Sequence, residues 1–207
     1  IRRGKRGDPR YSASTVSRAA RGKMSPAIRS REKAMPLPAP VERQHIHTRR
    51  IICQGFHRSD GLWDIEATLE DVRTYGVDSE YRGRIEAGEP VHGMSLRVTL
   101  DIEFVIHDLV AASDFVPAAA CTTVTDGMRK LIGLRIGSGW MKQVRERVGG
   151  VLGCTHLIEM LGPIGTTAYQ TMYREVEEHN RNKPNRPKPR VIDSCVTWAS
   201  NGEKVKR

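Results

Sequence analysis

Two cysteines of this sequence each lie just ahead of an apolar pattern with helical spacing. Cys154 follows Gly153 and precedes Leu157 and Leu161, and Cys121 precedes a second such pattern. Unpaired backbone N–H groups and the positive end of the helix dipole favour the thiolate form of a cysteine at a helix N-terminus. Because thiolates bind metal ions and act as nucleophiles, both cysteines are candidate site residues, although free cysteines also serve as small buried side chains.

A histidine joins these two cysteines in the predicted site. His92 lies in a turn between Pro90 and Gly93, just before the longest alternating pattern of the chain. A neutral imidazole in such a turn can bind a metal ion or move a proton. We predict that His92, Cys121 and Cys154 converge on one metal or thiol site.

Three further residues are candidates for supporting contacts or for alternative ligands. His156 lies two positions after Cys154, and side chains two positions apart in a regular helix point about 200° away from each other. His156 is therefore predicted to support the site, and Asp101 and Glu159 are the other candidates for this role.

The elements that must position these residues begin, in chain order, with strands. Apolar and polar residues alternate over residues 63–70 and 94–106, and less regularly over residues 46–56. The segment Ser59-Asp60-Gly61 is a turn signal, which predicts a hairpin between the first two segments. The pattern predicts an antiparallel sheet of three or four strands.

The period becomes helical after residue 118. Helices are predicted over residues 124–134 and 140–148, and a last helix is predicted to begin near Cys154 and to kink or split at Gly162-Pro163. A short strand is predicted over residues 191–198. Strands followed by helices indicate an α+β fold, with three or four helices packed on one face of the sheet.

The ends of the chain differ from its middle in composition. Residues 1–34 are rich in Arg, Lys, Ser and Gly without a sustained period, which predicts a disordered basic extension. Met35 precedes Pro-Leu-Pro and is typical of a translation start, so we expect this extension to lie outside the fold. Residues 42–178 are predicted to form a single α+β domain, and residues 179–207 a proline-rich basic linker and C-terminal arm.

Charge and composition limit the function classes. The 207 residues carry a net charge of +10, but much of it lies in the two basic ends, so non-specific contacts between these tails and nucleic acid are expected. No run of about 18 apolar residues exists, and no membrane span is predicted. Four widely spaced cysteines do not resemble a disulfide framework, which favours a cytoplasmic protein.

Three separated segments resemble a bacterial family known as domain of unknown function 2889. They are FHRSDGLWDIE at residues 56–66, GEPVHGM at residues 88–94 and GCTHL at residues 153–157. The resemblance covers about residues 49–173 and implies no activity. This family usually has an aspartate where the chain has Gly93, and the effect of that difference on the site is open.

The predicted order of elements is also similar to the fold of NifU-like iron–sulfur scaffold and SufE-like sulfur-acceptor proteins. The cysteines of the scaffolds precede the hairpin, the first helix and the last helix, and these places fall on His92, Cys121 and Cys154. The resemblance implies a Cys₂His site, which suits Zn²⁺ better than an iron–sulfur cluster. The protein would then be a metal-binding or sulfur-handling accessory protein, with zinc or iron as its cofactor.

A second function class remains open at this point. A pocket between the sheet and the helices, lined by Cys121 and Cys154, would make the protein a small-molecule or acyl-binding module without metal. The partner would then be a small molecule, whereas an accessory protein would also have a protein partner. Neither pattern establishes whether the chain is an enzyme.

Overall fold

The computed structural model of the chain describes residues 37–181, 183–185, 188–189 and 191–206. The predicted disordered extension, residues 1–34, lies outside these ranges. The chain divides into two compact units, Ile1–Arg43 and Gln44–Arg207, and the fold described below is that of the second unit.

Four long strands form one antiparallel sheet, which confirms the predicted α+β class. The strands are β1 (His47–His57), β2 (Trp63–Arg73), β5 (Pro90–Leu100) and β6 (Ile106–Phe115), and they lie in the order β1-β2-β5-β6. Between β2 and β5, the short strands β3 (Val77–Ser79) and β4 (Gly83–Ile85) pair as a separate two-stranded sheet. The segment between β2 and β5 therefore contains a small hairpin.

The core lies on one face of the large sheet, against the helices that follow it. Alternation with period two places the apolar side chains of each strand on the same side. Helix α1 (Trp140–Val148) and the longer helix α2 (Thr155–Arg181) contribute the facing side chains. The buried cluster includes Ile65, Leu69, Met94, Val98 and Leu109 from the sheet and Val144, Leu157, Met160, Ile164 and Met172 from the helices.

Helix α2 continues through Pro163, so the predicted split at this point is wrong. Proline removes one intrahelical hydrogen bond, but most helical stability in proteins comes from packing of the apolar face. Leu161 before the proline and Ile164 and Ala168 after it are all fully buried. Packing on both sides of Pro163 therefore keeps the helix continuous.

The helix predicted over residues 124–134 is also wrong. This part of the chain forms two 3₁₀ turns, Ala119–Thr122 and Asp126–Leu131. The hydroxyls of Thr122 and Thr123 donate to the carbonyls of Ala119 and Ala120, at 2.8 and 2.9 Å. Such local hydrogen bonds compete with the regular helical pattern.

The C-terminal part of the described chain contains no strand where one was predicted. Residues 191–198 form turns and the 3₁₀ helix Val196–Trp198, and the short helix α3 (Glu203–Lys206) follows. In the described ranges, none of the helices has the length and apolar character that crossing a membrane requires.

Asp101 shapes the turn between β5 and β6. Its Oδ1 accepts the backbone N–H groups of Glu103 and Val105, both at 2.9 Å, and its Oδ2 lies 2.8 Å from Nε2 of His107. Within this turn, Phe104 adopts a positive φ of 65° and buries its ring in the core. Left-handed backbone at a bulky residue is unfavourable, so the surrounding contacts must hold it in place.

Replacing Asp101 with alanine should lower the free energy of unfolding by about 1–3 kcal/mol, because the turn loses its acceptor for two backbone N–H groups. Urea denaturation followed by circular dichroism measures this change. Asp108→Ala is the matched control, since Asp108 is half exposed and forms one surface ion pair with Arg129. Equal effects of the two substitutions would contradict this role of Asp101.

Candidate metal centre

The core face of the sheet becomes polar at one end. Asp71 lies on the same side of β2 as Ile65 and Leu69, and it is 3% exposed. Its direct neighbours across the strands are Arg49 on β1 and His92 on β5. The register therefore places Arg49, Asp71 and His92 in one row, at the end of an otherwise apolar face.

The first turns of α2 cover this row. The ring of His156 stacks on the ring of His92, with centroids 3.9 Å apart and an interplanar angle of 28°. Nε2 of His156 lies 3.6 Å from Oδ2 of Asp71. Glu159 forms an ion pair with Arg49. The start of the helix is thus joined to the sheet by polar contacts as well as by the apolar core.

Asp71, His92 and His156 form a group of three metal-ligating side chains. One ligand atom of each residue lies within 4.8 Å of those of the other two, and the part of the chain that the structure describes contains one such group. Nδ1 of His92 is 3.2 Å from Oδ2 of Asp71. Ligands bound to one Zn²⁺ at about 2.0–2.2 Å are roughly 3–3.5 Å apart, so small side-chain movements would let all three bind one ion.

Arg49 also binds Asp71, and it does so through both carboxylate oxygens. Its Nε and one terminal nitrogen donate to Oδ1 and Oδ2, each at 2.7 Å, and Nε2 of His47 lies 3.1 Å from Oδ1. Burial alone would raise the pKa of Asp71, but the hydrogen bond and charge of Arg49 outweigh this effect and lower it. The carboxylate is therefore ionised, and Oδ2 has a second lone pair on the side of His92 and His156.

Burial favours the neutral form of both histidines of the group. Burial lowers the pKa of His92, and repulsion from His156 acts in the same direction. Burial also lowers the pKa of His156, together with the positive charge of Arg49. Neutral imidazole is the form that binds a metal ion, so no proton has to leave either ring near pH 7.

Cys154 lies at the edge of the group. Its Sγ is 3.8 Å from Nδ1 of His156 and 4.0 Å from Sδ of Met94. Helical spacing predicted that Cys154 and His156 point apart, but Cys154 precedes Thr155, where α2 begins, so this spacing does not apply to it. Because Nδ1 of His156 contacts Cys154, Nε2 of His156 faces Asp71. Contacts of this kind orient histidines that bind metal ions.

The other predicted site residues lie in different places. Cys121 lies in the first 3₁₀ turn and packs, partly buried, against the core, outside the three-residue group. Asp101 follows the far end of β5 from His92. Of the predicted residues, the structure thus brings His92 and His156 together, with Cys154 beside them and Glu159 bound to Arg49. The set of His92, Cys121 and Cys154 stays a prediction.

Asp71 and Arg49 were not among the predicted residues. The signal for Asp71 was present, because the apolar alternation of β2 places position 71 on the buried face. The preceding residues of that face are Trp63, Ile65, Ala67 and Leu69. A charged residue on such a face needs a partner, which makes it a candidate for chemistry.

Gly93 lies outside the group, although it is the neighbour of His92. Adjacent residues of a strand point to opposite faces, so a side chain at position 93 would project away from His92. A Cβ atom there would lie 2.5 Å from Cδ2 of Phe115, which covers this position. In this chain Asp71 provides the carboxylate, and it does so from the neighbouring strand.

A large cavity of the fold lies away from the group. Its volume is about 1070 Å³, and it lies between α1, α2 and residues 191–198. Trp140, Tyr169 and Trp198 line it, and none of the three ligand residues does.

Comparison with known proteins connects this chain to one described family. The model of a family described as "Protein of unknown function (DUF2889)" matches residues 47–170, which is more than half of the chain. The matched range includes all three residues of the group. No curated protein and no solved structure matches the chain.

The free energy of unfolding of EDTA-treated protein should fall as the pH is lowered from about 7.5 to about 5. The folded forms of His92 and His156 bind protons less readily than the unfolded chain, so protons favour unfolding in this range. Urea denaturation at several pH values measures the slope. His156→Asn should make it shallower, and His45→Asn, at an exposed position, should not. Identical slopes in all three proteins would contradict the lowered pKa values.

Arg49→Met should destabilise the fold by about 3 kcal/mol, because it leaves a buried carboxylate without its main partner. The double variant Arg49→Met/Asp71→Leu should lose less stability than the sum of the two single variants, since it removes both charges. A double-mutant cycle by urea denaturation measures the coupling. Additive effects would show that the pair contributes nothing to stability.

Proposed function

Because the chain belongs to the DUF2889 family, whose description names no activity, we propose from the site itself that the protein binds a divalent transition-metal ion through Asp71, His92 and His156. Two imidazoles and one carboxylate are the ligand set of many catalytic zinc sites and of non-haem iron sites. Zinc and iron are therefore the two candidate metals. The observation that carries the proposal is that three ligand atoms from β2, β5 and α2 lie within 4.8 Å of one another, with Asp71 buried and both histidines partly buried.

A purely structural ion pair would not need the two histidines. Arg49 already supplies two hydrogen bonds and a positive charge to Asp71. Burial lowers the pKa of His92 and His156 and so disfavours their charged forms, yet both direct a ring nitrogen at the same carboxylate oxygen. A metal ion bound to both imidazoles and to Asp71 would explain why the two rings face the same oxygen.

Three protein ligands leave one coordination position for another molecule. The side chains of His92 and His156 are 18% and 24% exposed, whereas that of Asp71 is 4% exposed. Solvent or a ligand therefore approaches the group from the side of the imidazoles. In this arrangement the ion, when bound, would act as a Lewis acid on a polar group of that ligand.

A second candidate function is the sulfur-handling role of NifU-like and SufE-like proteins. The contact between the Cys154 thiol and the His156 ring favours it, because a thiol beside an imidazole suits metal binding or sulfur transfer. In this version His92, Cys121 and Cys154 hold the metal ion. The two functions differ in whether the metal depends on Asp71 and His156 or on Cys121.

Metal analysis of untagged protein, expressed with zinc and iron in the medium, tests the first function. About one equivalent of one metal should copurify, and His92→Asn and His156→Asn should each weaken binding at least about tenfold. His179→Asn, which removes an exposed histidine distant in sequence, is the control and should keep its metal. Less than about a tenth of an equivalent in the wild type would contradict the proposal.

Two cysteine variants separate the two functions. Cys121→Ser should leave the metal content unchanged, and Cys154→Ser should weaken binding by about tenfold, because it loses only a contact that orients His156. Plasma mass spectrometry and a competitive chelator titration measure both quantities. Loss of the metal in Cys121→Ser, with His156→Asn still loaded, would instead establish the cysteine-based site.

A further inference from the structure

A cleft of about 630 Å³ opens beside the proposed metal site, and His92 forms part of its wall. The β3–β4 hairpin, the start of β5 and residues 117–119 enclose it. The apolar side chains of its lining are Val77, Tyr81, Ile85, Val91, Pro117 and Ala118. Its volume is within the range of small-molecule sites, which hold mostly apolar walls and a few polar groups.

We infer that this cleft binds the apolar chain of a small acyl-type molecule, such as an amide, whose carbonyl end reaches the ion held by Asp71, His92 and His156. The inference rests on the proposed metal site and names the ligand class of that site. His92 belongs both to the ligand group and to the wall of the cleft. A molecule in the cleft therefore lies beside the exposed edge of the group.

Protein groups outside the cleft contact the other two residues of the group. Arg49 and His47 contact Asp71 from β1, and Cys154 contacts the far nitrogen of His156. His92 is therefore the residue through which the group faces the cleft. The small β3–β4 hairpin, which pairs as a sheet of its own, forms the opposite wall of the cleft.

The charged groups of the cleft favour an uncharged chain over an ionic one. The guanidinium of Arg73 packs on the ring of Tyr75 and donates to its hydroxyl at 3.3 Å. Asp78 is 3.1 Å from a nitrogen of Arg84, so its charge already has a partner. Glu80, whose side chain is exposed, also lines the cleft and disfavours an anionic chain. The apolar side chains of the lining favour a hydrocarbon chain, because each fully buried CH₂ group of a ligand strengthens binding by about fourfold.

Alkyl hydroxamates test this ligand class, because their head group binds Zn²⁺ and their chain length can be varied. Calorimetry with Zn²⁺-loaded protein should show octanohydroxamate binding at least about tenfold more tightly than acetohydroxamate, since it has six more carbon atoms to bury. Val77→Asp should abolish this difference without changing the zinc content or the affinity for acetohydroxamate. Val110→Asp, at an exposed position of β6, is the matched control and should behave as the wild type.

A second variant, Tyr81→Ser, and a measurement on metal-free protein provide two further tests. Tyr81→Ser changes a half-exposed wall residue and should also reduce the preference for the longer chain, even if Val77→Asp fails to fold. In EDTA-treated protein, octanamide should shift the amide NMR signals of residues 77–85 and 91–92. Signals of Trp140 and Trp198, in the other cavity, should not move.

The outcomes separate the inference from the proposed function. Equal affinities for the two hydroxamates on zinc-loaded protein would overturn the inference and leave the metal site intact. Failure to bind zinc or iron would overturn the proposed function. In that event, octanamide shifts confined to the cleft would still support an apolar chain in this place, and shifts elsewhere or none would overturn it.

Discussion

The buried carboxylate of Asp71 is the constraint on which the rest of this site depends. An ionised carboxylate on the core face of a sheet is strongly unfavourable unless charged or polar partners surround it. Arg49 meets this need from the next strand, and Glu159 binds Arg49 in turn from α2. The pairing of this carboxylate thus acts together with the apolar core to hold the start of α2 over the end of the sheet. His156 and Cys154 take their positions from that placement.

The sheet could be predicted from sequence because its signal is local. Strands β2 and β5 alternate over enough residues to be recognised without knowledge of their partners, and both lie in the four-stranded antiparallel sheet. Strand β6 lacks this alternation, and the sequence pattern did not reveal it beyond Ile106. The helices after the sheet were harder to predict, because competing interactions decide whether each helix forms. Threonine hydroxyls bond to nearby carbonyls just before the predicted helix 124–134, where the chain forms the 3₁₀ helix Asp126–Leu131 instead. Buried contacts on both sides of Pro163 keep α2 continuous.

Less of the candidate site could be predicted, because it depends on register. His92 was recognised, but as a turn residue, whereas β5 begins at Pro90 and places His92 on the same face as Met94. The pairing of His92 with Asp71 depends on the register of β2 against β5, which no local pattern reveals. Asp71 itself could have been found, since it continues the buried face of β2.

Charge balance explains how a cation could bind next to an arginine. Arg49 alone would repel a divalent ion and would occupy the carboxylate that the ion needs. Glu159 pairs with Arg49 and offsets its positive charge, so the negative charge of Asp71 remains available to a second partner. The exposure of Glu159 makes this compensation partial, because solvent screens it. The two neutral imidazoles then supply the remaining donors without adding charge, and an ion there would be held by donors from β2, β5 and α2 at once.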